Sequence, residues 1–143
     1  MDGSVAGVYL PVRSTRLSRP LLMWRIPAGF PSPAEDYVEG RIDLNRDLIK
    51  HPLATFYIRV SGDSMTPRIH PGALLVVDRM AETKDDDIVI ARINDELCVK
   101  KLCIERSGQI RLISENEIYA PIAITEEMDF EVWGRVMHSI QTY

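Results

Sequence analysis

Two short stretches hold residue types that could carry out covalent chemistry. Ser61-Gly62-Asp63-Ser64-Met65 follows the apolar run Phe56–Val60. Gly62 lets the chain turn sharply there. A short helical turn beginning at Asp63 or Ser64 leaves backbone N–H groups free to face a ligand. A serine at the end of a strand, beside the Asp63 and Ser64 amides, has the layout of a nucleophile with an oxyanion site. The same five residues also suit a polar capped turn, and local sequence does not separate the two.

A serine hydroxyl needs a base at neutral pH. His51, His70 and His138 are the only histidines. His51 falls at a helix end, His70 in a proline-flanked loop and His138 in the last strand, so structural roles suit all three. No G-x-S-x-G elbow occurs, and Ser64-Met65-Thr66-Pro67 is not an S-x-x-K motif. Lysine is the other possible base. It acts only when neutral, which requires removal from water. Lys100 and Lys101 interrupt the apolar run Leu97–Ile104. That run is apolar on both faces, so it reads as a central strand with at least one lysine pointing into a semi-buried place. Lys100 shares a face with Cys98 and Lys101 with Val99, and alternation does not choose between them. A lysine pair of this kind also fits an edge strand whose ammonium groups reach water.

The elements that must position these residues are mostly strands. Beyond Phe56–Val60, the pattern predicts strands at Leu74–Asp78, Ile88–Asn94, Leu97–Glu105, Gln109–Ser114 and Phe130–His138. Pro71-Gly72, Asn94-Asp95 and Ser107-Gly108 mark turns between them. Ile88–Ile93 and Leu97–Cys103 form a hairpin around Asn94–Glu96. Asp43–His51 predicts a short helix with Leu44, Leu48 and Ile49 on one face, capped by Asp43 and stopped by Pro52. Residues 1–32 show no sustained period and read as an extended arm that docks on the rest. The fold class is therefore mostly β, an antiparallel domain with one or two short helices and an N-terminal arm.

Composition narrows the function classes. The chain has 143 residues, enough for one domain with a core of its own. No apolar run approaches the ~18 residues of a membrane span, and Arg25 interrupts Leu21–Ile26, so neither a span nor a signal peptide is expected. Cys98 and Cys103 are the only cysteines, a pattern of reduced structural thiols in a cytoplasmic protein rather than a zinc or disulfide framework. No cofactor or metal is called for. Residues 1–28 carry a net charge of +3 and residues 29–143 a net −7. An acidic body argues against direct sequence-specific DNA binding, which needs clustered Lys and Arg.

The sequence resembles UmuD and its plasmid-borne relatives, within the LexA-like clan of serine–lysine peptidases. The resemblance spans roughly residues 26–140. It rests on Ala28-Gly29-Phe30-Pro31-Ser32-Pro33-Ala34, Asp36-Tyr37-Val38-Glu39, Arg41-Ile42-Asp43-Leu44-Asn45 and His51-Pro52, followed in order by Ser61–Met65, Pro71-Gly72, Leu74–Asp78, Asp87–Ala91, Val99-Lys100-Lys101-Leu102 and Val132-Trp133-Gly134. It implies Ser64 as nucleophile and the first lysine after the strand valine, Lys100, as base. It implies self-cleavage of Ala28–Gly29, removing an arm of residues 1–28 from a domain of residues 29–143. It further implies stimulation by a RecA–single-stranded DNA filament in the SOS response, a homodimer, and partnership with a UmuC-type Y-family polymerase. A non-catalytic interaction module, or a LexA- or phage-repressor-like regulator without its DNA-binding domain, is the alternative. One departure stands out. The family usually has Gly-Asp before the strand that begins at Ile88, and this chain has Asp86-Asp87. If that turn needs positive φ, aspartate is less well suited than glycine.

Overall fold

The computed structural model describes residues 3–10, 17–22 and 38–143. In chain order these form β1 (Val5–Tyr9), β2 (Ser18–Leu22), β3 (Val38–Asp43), α1 (Leu44–Leu48), a 3-10 turn at Pro52–Ala54, β4 (Thr55–Val60), β5 (Leu74–Asp78), β6 (Ile88–Ile93), β7 (Glu96–Ile104), β8 (Ile110–Ile113), β9 (Ile122–Ala123) and β10 (Phe130–Ile140). The protein is mostly β, as its sequence predicts. Eight strands make one antiparallel sheet in the order β1-β4-β5-β10-β6-β7-β8-β9. β2 and β3 form a separate antiparallel pair, with Ser18 opposite Asp43 and Leu22 opposite Val38.

The large sheet buries both faces of its centre. Ile58, Met65, Leu75, Val77, Ile90 and Val99 pack in one cluster. Val89, Ala91, Cys98, Leu102 and Leu112 pack in a second. Successive residues of β6 and β7 feed opposite clusters, which is why these strands read as continuous apolar runs rather than alternating ones. The sheet also curls. Ser4, just ahead of β1, bridges to Cys98 of β7, although β1 lies beside β4 in the strand order.

Turn chemistry sets the hairpins. β6 and β7 pair from Ile88↔Lys101 to Ile93↔Glu96, leaving Asn94-Asp95 as a two-residue loop. Asn94 sits at φ 54°, a left-handed conformation that asparagine tolerates. The Asp86 turn does need positive φ, at 76°. It is stitched to β7, because the Asp86 N–H donates to the Leu102 carbonyl and the Leu102 N–H donates to the Asp87 carbonyl, each at 2.8 Å.

The helix is shorter than the sequence predicts. Asp43 caps it by accepting from the Asn45 N–H at 3.1 Å, but it ends at Leu48. Leu44 is exposed and Ile49, the buried residue of the trio, already has extended backbone. The anticipated apolar face therefore never forms. Five residues are little more than one turn, and β3 and the Pro52 turn bound it closely on either side.

Candidate active site

Ser64 lies in a tight turn just after β4 and is fully buried. A short helical-type turn begins at Asp63, where the Thr66 N–H donates to the Asp63 carbonyl at 3.1 Å, and the Ile69 N–H donates to the Met65 carbonyl at 2.8 Å one turn on. Met65 and Ile69 anchor it by burying their side chains in the first cluster, a term on the order of 1.5–3 kcal/mol for each. The Ser64 Oγ has no hydrogen-bond partner among the described residues. The Asp63 and Ser64 N–H groups likewise have no backbone acceptor among them. A buried hydroxyl beside amides that lack a backbone acceptor among the described residues is a local arrangement that acyl transfer can use.

Lys100 is 2% exposed, the largest fully buried side chain among the described residues. Lys101, next along β7, is half-buried and lies near Glu115 at 3.7 Å and Asp86 at 4.0 Å. The two neighbours thus live in opposite surroundings. Lys101 keeps carboxylate partners at the surface. Lys100 is withdrawn from water, and withdrawal favours the neutral amine. Its Nζ donates to the Ser114 Oγ at 2.7 Å and lies 5.6 Å from the centre of the Tyr119 ring.

Ser114–Tyr119, the segment after β8, ties the serine turn to the lysine. The Asn116 N–H donates to the Ser64 carbonyl at 2.9 Å. The Asn116 side-chain amide donates to the Asp63 carbonyl at 3.2 Å. The Tyr119 hydroxyl donates to Asp63 Oδ1 at 2.5 Å. One loop therefore grips the backbone on both sides of the nucleophile candidate and places Ser114 and Tyr119 against Lys100. Sequence reasoning missed Ser114, Asn116 and Tyr119. The polar run Ser114–Glu117, breaking off directly after an apolar strand, was the available signal.

His51 is engaged elsewhere. His51 Nδ1 and Asp78 Oδ2 lie 2.5 Å apart, and the buried Asp78 also accepts from the Met80 and Ala81 N–H groups. This cluster fastens the Pro52 turn to the end of β5. Cys98 is a free thiol whose burial pushes its pKa up to about 11, despite the opposing influence of Lys100 nearby. Ala28 and Gly29 lie outside the described residues, within the connection 23–37 between the paired strands β2 and β3.

A curled antiparallel sheet with a serine turn after one strand and a buried lysine on another defines a LexA/UmuD-like β domain. Comparison with known proteins places it further: the chain belongs to the peptidase S24-like family, which matches residues 20–137. It is 41% identical to protein SamA of Salmonella typhimurium over 139 residues, covering 96% of each chain. It is 40% identical to protein ImpA of Escherichia coli over 121 residues, 84% of this chain and 83% of that one. Protein MucA of Escherichia coli is 39% identical over 125 residues, 86% of this chain and 84% of its own. Among the described residues no helix is long and apolar enough to cross a membrane.

Proposed function

We propose that this protein is a self-cleaving serine–lysine peptidase of the SOS response. Neutral Lys100 takes the proton from Ser64, whose Oγ attacks the carbonyl carbon of Ala28. The Asp63 and Ser64 N–H groups stabilise the resulting oxyanion. Collapse breaks the Ala28–Gly29 bond, and the proton held by Lys100 passes to the departing Gly29 nitrogen. Water, deprotonated by the same lysine, then releases Ala28 as a carboxylate and restores Ser64. The products are residues 1–28 and 29–143. The observation that carries this reading is the pairing of a fully buried serine hydroxyl with a fully buried lysine, joined through one loop, in a chain of the peptidase S24-like family.

In the state described, Lys100 Nζ donates to Ser114 Oγ, and Ser64 Oγ has no hydrogen-bond partner among the described residues. Catalysis thus requires a second arrangement, with the Ala28–Gly29 segment in place and Nζ within reach of Ser64 as well as Ser114. A trigger that binds that arrangement better raises its population. A RecA–single-stranded DNA filament fills this role in the proposal. The processed chain then acts in the cytoplasm as a homodimer beside a UmuC-type Y-family polymerase.

Incubation with RecA, nucleotide and single-stranded DNA, followed by mass spectrometry, tests nucleophile, bond and trigger together. The unaltered chain should yield the 29–143 fragment and Ser64→Ala should stay full length. A fragment from Ser64→Ala sinks the nucleophile assignment. No fragment from the unaltered chain, with activated RecA or at alkaline pH, leaves an interaction module on a peptidase fold.

A further inference from the structure

The space beside Ser64 Oγ is already taken by a segment of this chain other than Ala28–Gly29. β1 pairs along β4 from Val5↔Val60 to Tyr9↔Tyr57. Just ahead of it the backbone crosses between the two elements that carry the dyad. The Ser4 carbonyl accepts from the Ser61 N–H and the Ser61 hydroxyl, both at 3.0 Å. The Gly3 carbonyl accepts from the Val99 N–H at 3.0 Å. Ser61 lies three residues before Ser64, and Val99 lies directly before Lys100. Gly3 is buried, and a Cβ on it would come within 2.8 Å of the Val99 carbonyl oxygen and 3.0 Å of Ser64 Oγ. The Gly3 backbone is therefore pressed against the serine hydroxyl, in space that only glycine fits.

We infer that residues 3–9 are a tethered occupant of the peptide-binding groove, which must leave before Ala28–Gly29 can enter. The inference rests on the reading of Ser64 as the nucleophile, and it follows from exclusion: a carbonyl carbon attacked by Ser64 must approach Oγ where Gly3 now sits. The contacts are those of an added β-strand, main-chain bonds for affinity and one apolar side chain, Val5, against the core. Gly3, without a Cβ, presents bare backbone beside Ser64 Oγ. The strand is also poised to leave. Val8, Tyr9 and Leu10 are exposed, and an open cleft of about 640 Å³ separates β1 from Asp95–Leu97 at the start of β7. Beyond Ser4 the segment is held along one edge.

Gly3→Val in the full chain tests this, because its side chain clashes with the Val99 carbonyl and with Ser64 Oγ. Two readouts are taken: amide hydrogen exchange at neutral pH, and self-cleavage at alkaline pH. The Val99 and Ser61 amides should be protected in the unaltered chain and exchange at least about tenfold faster in the variant. The Leu102 amide, bonded to Asp87, should be unchanged and so report an intact fold. Self-cleavage should rise roughly tenfold, the inverse of the fraction of molecules with an open groove. Val5→Glu, which ejects the same strand without touching Ser64, should do likewise. Unprotected Val99 and Ser61 amides in the unaltered chain overturn the docking. Faster exchange without faster cleavage overturns its inhibitory role. Failure of the peptidase reading shows separately, as an unaltered chain that activated RecA does not cut.

Discussion

β7 and the segment leading into β1 meet at Val99 and Gly3, yet β7 and β1 are held in place by different forces. β7 runs between β6 and β8 with Cys98, Val99, Lys100 and Leu102 all buried. Its register is locked, because a one-residue slip would exchange the two apolar clusters on its faces and move Lys100 into the place of Lys101. β1 lies at the sheet edge, exposes Val8 and Tyr9, and is retained chiefly by main-chain hydrogen bonds. Bonds of that kind contribute only about 0.5–1.5 kcal/mol each. In the proposed reading, the chemistry resides in the element whose position burial dictates, and access to it in the element that is least expensive to move.

The largest effect expected on this contrast comes from the two lysines. Lys100→Ala should lower alkaline self-cleavage about a thousandfold or more, as loss of a base does. Lys101→Ala, which removes only half-exposed ion pairs, should change it less than about threefold. The rate at which the 29–143 fragment appears measures both, and equal losses would erase the distinction between the two sides of β7.

Cys98 tests the burial of the same strand through pH. Its folded pKa of about 11 lies above the ordinary thiol value of 9.0. The folded state therefore favours the neutral thiol. The stabilisation is complete below pH ~9 and is lost as pH rises toward ~11, amounting to at most about 2–3 kcal/mol. Urea melts across that window should show the unaltered chain losing this much more stability than Cys98→Ala. Parallel loss in both would mean that Cys98 is reached by water.

Ser114 bears on how Lys100 is aimed. An ammonium donates a stronger hydrogen bond to the Ser114 hydroxyl than a neutral amine does. Ser114→Ala should therefore shift the midpoint of the pH–rate profile to lower pH while reducing the plateau roughly tenfold, about the loss of one buried hydrogen bond. Ser114→Thr should restore both. A role confined to packing would alter stability and leave the midpoint in place.

The smallest effect belongs to Asp86. Its φ of 76° is costly for a residue with a Cβ. Asp86→Gly should stabilise the chain by up to about 1 kcal/mol, since relief of left-handed strain is partly offset by the freer unfolded chain. The Asp86 ion pair with Lys101 is long at 4.0 Å and exposed, so its loss should be negligible. A destabilised glycine variant would show that the turn has a use for the carboxylate.

Much of this was legible in the residues alone. The strands β4 to β8 and β10 follow from apolar runs between Pro71-Gly72, Asn94-Asp95 and Ser107-Gly108, all of which act over a few residues. The helix at Asp43 was overextended, because Leu44, Leu48 and Ile49 match a helical face that the short connection from β3 to β4 has no room to build. β1, β2, β3 and β9 were not foreseen. They are short, and their pairing partners lie elsewhere in the chain, so no local period marks them.

The sequence by itself determined that the protein is mostly β and that the ordered motifs mark a LexA/UmuD-like chain, and it nominated a lysine rather than a histidine as the candidate base. Ser64 and Lys100 were nameable from those motifs. Only the tertiary structure decided that Lys100 is buried while Lys101 is not, since a strand covered on both faces carries no alternation to read. The same holds for Ser114 and Tyr119 beside the lysine, and for Gly3 against Ser64. These contacts join residues 14 to 61 positions apart, and what brings such residues together is the packing of the whole sheet, a free energy that no short window of sequence contains.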